Sequence, residues 1–533
     1  MRAAAVDQKP SNSGQPRMVY SDNLTRLFSF LPPPKSSSFL SCQSSDGLNL
    51  PSAERMENCY RPYFDPDFES LIERINPPRV CIDNDTCEDC TLVKVDSANK
   101  HGILLEMVQV LTDLDLIISK SYISSDGVWL MDVFHVTDQH GTKLTDESLI
   151  HYIEQALCSG RRESDEAQHN YLGRSVGPML VPGDHTALEM MGTDRPGLLS
   201  EILAVLVELN CDVVAAEAWT HNKRAACIIY MTDRKTGGPI CDRERLSHVE
   251  EQLDNVVGAH HPAHLVKGEE RRGVRLAGPM AGRTHTERRL HQLMLAQSDY
   301  EEEEDEEEMK RRRRKKKEEV ATEVSIESCK EKGYSVVSVR SRDRPKLLFD
   351  TVCTLTDMEY VVFHAAISSH GSLAFQEYYV RHMDGCTLDS KRERQRVTQC
   401  LAAAVERRVS HGLRLEVCTS NRQGLLSDIT RVFREHGLSI TRAHITTSDD
   451  GDTAIGTFYV TDASGNEVDP KTVESVRKEI GGSVLTVPHS PSRVHHPHPH
   501  SDTTTTAQQK FSLGSLLWSQ LERLSSNFGS INS

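Results

Sequence analysis

One junction is written four times in this chain: "NKHGILLEMVQVL" from Asn99, "DRPGLLSEILAVL" from Asp194, "DRPKLLFDTVCTL" from Asp343 and "NRQGLLSDITRVF" from Asn421. Each copy runs from a turn-forming cluster straight into an apolar stripe at helical spacing, such as Leu198, Ile202, Val205, Leu206 and Leu209 in the second copy. The unequal spacing of the starts excludes a solenoid, whose stacked units repeat at a fixed period. The chain therefore reads as one small module used four times, with insertions between the copies.

The surroundings repeat as well. A short alternating or apolar strand precedes each junction: "TLVKV", "ALEMM", "YSVVSV" and "LRLEV". After the first helix come two strands with a turn, clearest in copy one as "LIISKSYIS", "SDG" and "VWLMDVFHVTD". A second amphipathic helix follows, as in "LIHYIEQAL" or "VTQCLAAAVERR". The order βαββα, with a closing strand at "VLTVP" in copy four, predicts an α+β fold of four ferredoxin-like βαββαβ modules. Copy three offers no closing strand, since only "VSHG" separates its second helix from the next module. A module of about 70 residues buries only about 60% of its unfolded surface, and its sheet edges need cover. The modules are expected side by side, as two pairs. Their expected bounds are residues 91–158, 186–258, 334–409 and 413–488, with a leader at 1–58, a linker at 259–333 and a tail at 489–533.

Composition excludes several function classes. A net charge of −16 argues against non-specific nucleic-acid binding, which needs a basic surface to displace counterions. No apolar stretch approaches the ~18 residues of a membrane span, so no membrane partner is expected. Fourteen Cys, scattered singly, fit buried thiols in a reducing compartment and a cytoplasmic location.

Hydrophobic content of 37% implies segments outside any core. The leader, with "LPPPKSSSFLSC", reads as disordered; Asp7, Asp22, Asp46 and Glu54 weigh against a transit peptide. The linker predicts a helix over 286–297, then "EEEEDEEE" (301–308) and "KRRRRKKK" (310–317), whose charges cancel. The basic block invites a nuclear localisation reading, and a solvated, self-neutralising linker is preferred. In the tail, the prolines of "RVHHPHPH" keep its histidines from a fixed metal site. Leu513, Leu517, Leu521 and Leu524 form one helical stripe there, expected to dock on a module.

Motifs for nucleotide loops, zinc proteases, nucleophile elbows and dinucleotide folds are missing from the sequence. Cys87 and Cys90 have no second pair at zinc-site distance and read as structural thiols. His221, His364 and His444 read as satisfied or exposed. No catalytic residue, cofactor or metal is expected.

The junction itself remains. Gly102, Gly197 and Gly424 remove a Cβ where the backbone enters the helix. Amides of the first turn, at Leu198 and Leu425, could then meet a carboxylate with help from the helix dipole. Asn99, Asp194, Asp343 and Asn421 offer an oxygen to an ammonium group. Anion-accepting amides beside an ammonium-accepting oxygen make an α-amino-acid site. An ordinary helix start has the same grammar, and fourfold repetition weakens that alternative without removing it. Copy three has Lys346 where the others have Gly, which puts Asp343 and Lys346 in doubt as site residues.

With these residues in view, the chain resembles the plant ACT domain repeat (ACR) proteins over about residues 60–488, apart from the insert. The most specific stretches are "NPPRVCIDNDTCEDCTLVKVDSANKHGILLEMVQVLTDLDLIISKSYISSDG", "DRPKLLFDTVCTLTDMEYVVFHA" and "FYVTDASGNEVDPKTVESVRKEI". The resemblance implies four ACT domains, small regulatory folds that bind amino acids at domain–domain interfaces. Similar modules end the bacterial nitrogen-sensing uridylyltransferase, whose nucleotidyltransferase part this sequence lacks; that enzyme activity is not implied. The expected protein is a non-enzymatic amino-acid-binding regulator or sensor with its ligand near the strand-to-helix loops. Its expected partners are a free amino acid, a second copy of itself or a target enzyme. The alternative is a ligand-free interaction scaffold or a regulatory partner of a metabolic enzyme.

Overall fold

A computed structural model describes residues 78–487, apart from 126–128, 160–169, 172–173, 176–184, 260–272, 278–284, 296–321, 330–332, 410–411, 449–450 and 482–483. The chain forms two units, residues 1–64 and 65–533, and every described residue belongs to the second. The leader at 1–58, the charge blocks at 301–317 and the tail from 489 lie outside the described residues.

Module 1 runs β1 (Arg79–Asp83), β2 (Thr91–Ala98), α1 (Ile103–Asp113), β3 (Ile117–Ser125), β4 (Trp129–Thr137) and α2 (Glu147–Ser159). A two-residue ladder, β5 (Asn170–Tyr171) with β6 (Arg174–Ser175), follows it. Module 2 is β7 (Thr186–Thr193), α3 (Leu198–Glu208), β8 (Cys211–His221), β9 (Arg224–Asp233), α4 (Arg243–Gly258) and β10 (Gly273–Ala277). The insert supplies α5 (Thr286–Leu295). Module 3 is β11 (Glu323–Cys329), β12 (Tyr334–Arg342), α6 (Leu347–Asp357), β13 (Tyr360–His370), β14 (Leu373–His382) and α7 (Lys391–Arg407). Module 4 is β15 (Leu413–Ser420), α8 (Leu425–Glu435), β16 (Leu438–Thr447), β17 (Thr453–Asp462), α9 (Pro470–Ile480) and β18 (Leu485–Thr486).

The modules form two eight-stranded sheets, ordered β1-β2-β4-β3-β13-β14-β12-β11 and β10-β7-β9-β8-β16-β17-β15-β18. Module 1 thus pairs with module 3, and module 2 with module 4. Partners alternate along the chain. The joints are antiparallel, β3 on β13 and β8 on β16, and the first helices pack on each other across them, α1 on α6 and α3 on α8. One apolar cluster crosses each joint: Val93, Phe134, Phe349 and Tyr378 in one pair, Leu188, Ile229, Phe433 and Phe458 in the other. A shared core of this kind removes the unpaired sheet edge that a lone module would expose.

The strand missing after copy three enters from the other end of the module. β11 precedes β12 and pairs with it antiparallel, Ile326 opposite Val337. Module 1 does the same with β1 on β2. Modules 2 and 4 close from the C-terminal side, with β10 on β7 and β18 on β15. The same edge position is filled by either route, because an edge strand needs only exposed ladder groups to pair with.

Each first helix is bracketed by left-handed residues. Gly102, Gly197, Lys346 and Gly424 precede it, at φ 84, 84, 63 and 69°. Asp115, Asn210, Glu359 and Gly437 follow it, at φ 55, 54, 65 and 69°, as helix C-terminal caps do. The strand after that cap carries a bulge at the same place in every module, between Ile118/Lys120, Val213/Ala215, Val362/His364 and Ile440/Arg442.

Helix α5 is wedged between the two pairs. Leu290 and Met294 bury against Trp219, Ala226 and Ile228, on the sheet face of module 2 that its own helices leave open. Polar residues tie it to three modules: His285 to Asp113 of module 1 at 2.7 Å, Arg289 to Glu189 of module 2 at 2.7 Å and His291 to Asp350 of module 3 at 2.7 Å.

Candidate functional site

The junctions are built alike. The backbone N–H of the first residue donates to its module's hairpin turn: Asp194 to the Lys223 carbonyl at 2.7 Å, Asp343 to Ser372 at 2.8 Å and Asn421 to Asp452 at 2.6 Å. Asn99 and Asn421 also spend their side-chain amides there, on Ser125 Oγ at 2.8 Å and the Gly451 carbonyl at 3.0 Å. The next residue clasps an acid in the first helical turn: Arg195 with Glu201 at 2.5 Å, Arg344 with Asp350 at 2.7 Å, Arg422 with Asp428 at 2.7 Å. Sequence reasoning passed over this clasp. Its signal is a basic residue with an acid six positions on, and Lys100 and Glu106 occupy the same places in module 1.

The glycines have a conformational cause. At φ near 84° a Cβ costs about 1–2 kcal/mol, so Gly is the natural residue at the turn. The expected role of the adjacent amides needs correction. Leu198 N–H already donates to the Arg195 carbonyl at 3.1 Å, and Leu425 N–H to Arg422 at 3.2 Å. The next residues along the helix, Leu199 and Ser200, line the cavity described next.

The junction of module 2 opens on a cavity. Between modules 2 and 4 a space of about 40 Å³ is lined by Asp194, Gly197, Leu198, Ala218, Arg434 and Arg442. Arg434 comes from the end of α8, and its stem lies across Gly197: a Cβ there would sit 2.5 Å from Arg434 Cδ. Behind Asp194 a wider cleft of about 300 Å³ includes His221, Lys223, Glu406 and Arg442. Asp194, Thr220 and Arg442 line both. Burial pushes the Asp194 carboxyl up to about 6, against a stabilising hydrogen bond from the Arg195 backbone. Such a carboxyl favours a cationic ligand.

The other predicted site residues are not gathered there. Asn421, Gly424 and Leu425 stand at the opposite end of the same helix pair, where Gly424 faces Val207. Asn99 and Gly102 belong to the other pair, and nothing approaches within 4 Å of a Cβ built on Gly102. The junction of module 3 is filled by α5. Lys346 Nζ meets Glu287 at 3.0 Å, and Arg408 bridges Glu287 and Asp350, each at 2.8 Å. Asp350 is fully buried. Burial works to raise its carboxyl, but Arg408, Arg344 and His291 hold it well below the usual range. Arg408 also lies over the Trp219 ring, 4.8 Å from its centroid.

Cys90 is buried among Leu92, Val133 and the half-buried Cys87, and burial with Cys87 alongside pushes its thiol up to about 11. Among the described residues no group of three His, Cys, Asp or Glu could hold a metal ion. Among them, too, no helix is long and apolar enough to cross a membrane.

Comparison with known proteins adds a family. The profile of the ACR family N-terminal ACT domain matches residues 86–164, and that of the ACT domain matches residues 413–482. The chain is 54% identical to the ACT domain-containing protein ACR3 of Arabidopsis thaliana, over 81% of this chain and 91% of that one. It is 52% identical to ACR1 of the same plant, over 89% of this chain and 100% of that one. A short stretch, 15% of this chain and 9% of the other, is 38% identical to the bifunctional uridylyltransferase/uridylyl-removing enzyme of Azospirillum brasilense.

Proposed function

Because the chain belongs to the ACR family of ACT domain-containing proteins, we propose that it binds a free α-amino acid between modules and acts as a regulatory sensor without catalysis of its own. One observation carries the reading. Asp194 presents a carboxyl that has no ion-pair partner among the described residues and is raised by burial, on a cavity lined by the first turn of α3 and by arginines of the neighbouring module. Ammonium and carboxylate are the two groups such walls receive. Twelve described cysteines are free thiols, in keeping with a cytoplasmic location, and the basic block at 310–317 would supply any nuclear import. Isothermal titration of the full chain with each proteinogenic L-amino acid is the direct test. Saturable heat from at least one is expected. Silence from all, at protein concentrations that detect millimolar affinity, leaves a ligand-free scaffold as the better account.

A further inference from the structure

The four junctions are alike in backbone and unlike in what faces them. Packing α3 on α8 places the residue ten positions past each left-handed glycine against the partner's glycine. Gly197 faces Arg434, and Gly424 faces Val207 at 4.0 Å. In the other pair the same position holds Thr112 and Thr356. The first junction residue varies as well: Asn99, Asp194, Asp343 and Asn421.

Module 2 alone therefore combines an acid, a glycine and an opposing cation. Module 3 has its acid, Asp343, but Lys346 stands in the glycine's place and is held by Glu287. Asp194 and Arg434 line one cavity. Among the described residues the Arg434 guanidinium has no hydrogen-bond or ion-pair partner, and the Asp194 carboxyl has only the Arg195 backbone. An acid and an arginine that line one cavity without an ion pair between them can complement a zwitterion.

We infer that the chain holds a single α-amino-acid site, with the ligand's ammonium on Asp194 and its carboxylate on Arg434 of module 4. The inference rests on the amino-acid-binding reading and adds its stoichiometry and its carboxylate anchor. Arg434 is exposed and its stem occupies the space over Gly197, so the ligand takes that space as the guanidinium swings onto its carboxylate. The side chain of the ligand then runs past Thr220 and Arg442 into the wider cleft, which has room for it.

The test uses the full chain and whichever L-amino acid gives heat. Titration should return one site per chain. Arg434→Met keeps the stem and removes the charge, and a loss of tenfold or more in affinity is expected with an unchanged melting curve. The decarboxylated amine of the same ligand should bind wild type and Arg434→Met equally. The double variant Val207→Arg with Asn421→Asp copies the two charges to the other end of the helix pair and should raise the stoichiometry to two. Two or more sites in wild type, affinity untouched by Arg434→Met, or one site in a folded double variant would each overturn the inference alone. Failure of every amino acid to bind would instead overturn the reading beneath it.

Discussion

His444 Nδ1 lies 2.5 Å from Glu217 Oε2 at the centre of the β8–β16 joint. The two residues are each other's counterparts in the repeat, both standing two positions past the bulge of their strand. A pseudo-two-fold axis therefore passes between an acid and a base. Two copies of module 2 would bring Glu against Glu there. At the matching point of the other joint Tyr122 faces Ala366, a large residue against a small one. Both seams favour unlike partners, as selective interfaces do.

The pair makes stability depend on pH. Burial opposes the charge on both residues, yet the contact with His444 outweighs it and lowers the Glu217 carboxyl, while Glu217 raises the His444 imidazole. The histidine's contribution is full below its ordinary 6.5 and is lost as pH rises through its raised value. The glutamate's contribution is full above its ordinary 4.5 and is lost as pH falls through its lowered value. The urea midpoints of wild type and His444→Gln should therefore lie furthest apart between those two values and converge above neutrality. A constant gap from pH 5 to 8.5 would show that the ion pair contributes nothing.

Gly102→Ala and Gly197→Ala separate conformation from contact. Both residues sit at φ 84°, so both variants should lose about 1 kcal/mol from the left-handed backbone. Nothing meets the new methyl at 102, whereas at 197 it displaces the Arg434 stem. Melting curves should shift alike, and amino-acid affinity should fall only in Gly197→Ala.

Asp350→Asn tests the buried cluster beneath α5. The carboxylate serves Arg344, Arg408 and His291. Removing one partner of a buried charge pair typically costs about 3–5 kcal/mol. Urea unfolding should register a loss of that order. A loss below about 1 kcal/mol would mean water reaches the cluster.

Lys346 holds a left-handed conformation at φ 63° while its ammonium reaches Glu287. Lys346→Gly relieves roughly 1 kcal/mol of backbone cost and forfeits a partly buried ion pair of similar size, so thermal unfolding should scarcely move. Lys346→Val should lose about 2 kcal/mol, because a branched side chain keeps the strain and drops the pair.

The repeat, its βαββα grammar, the apolar stripes and the glycine turns were legible in sequence. They follow from periodicities of 3.6 and 2 and from the one residue that tolerates a positive φ without cost. Asp194 and Gly197 could be singled out for the same reason, since a helix start is a local device. Arg434 could not, for it stands 237 residues beyond Gly197 and only the packing of α3 on α8 brings them together.

The sequence by itself determined that the chain builds four small modules and that they must cover one another's edges, because local backbone preference and apolar patterning act within about 70 residues. Which module meets which was decided only in three dimensions. Glu217 opposite His444 and Tyr122 opposite Ala366 are matches across 227 and 244 positions, and their energy exists only once both strands are formed and in register. The same holds for α5. In sequence it is one amphipathic helix beside a charged block, whereas in the structure it seats Glu287 on Lys346 and Arg408 and closes the junction of module 3. Which repeated site remains open to a ligand is a tertiary property.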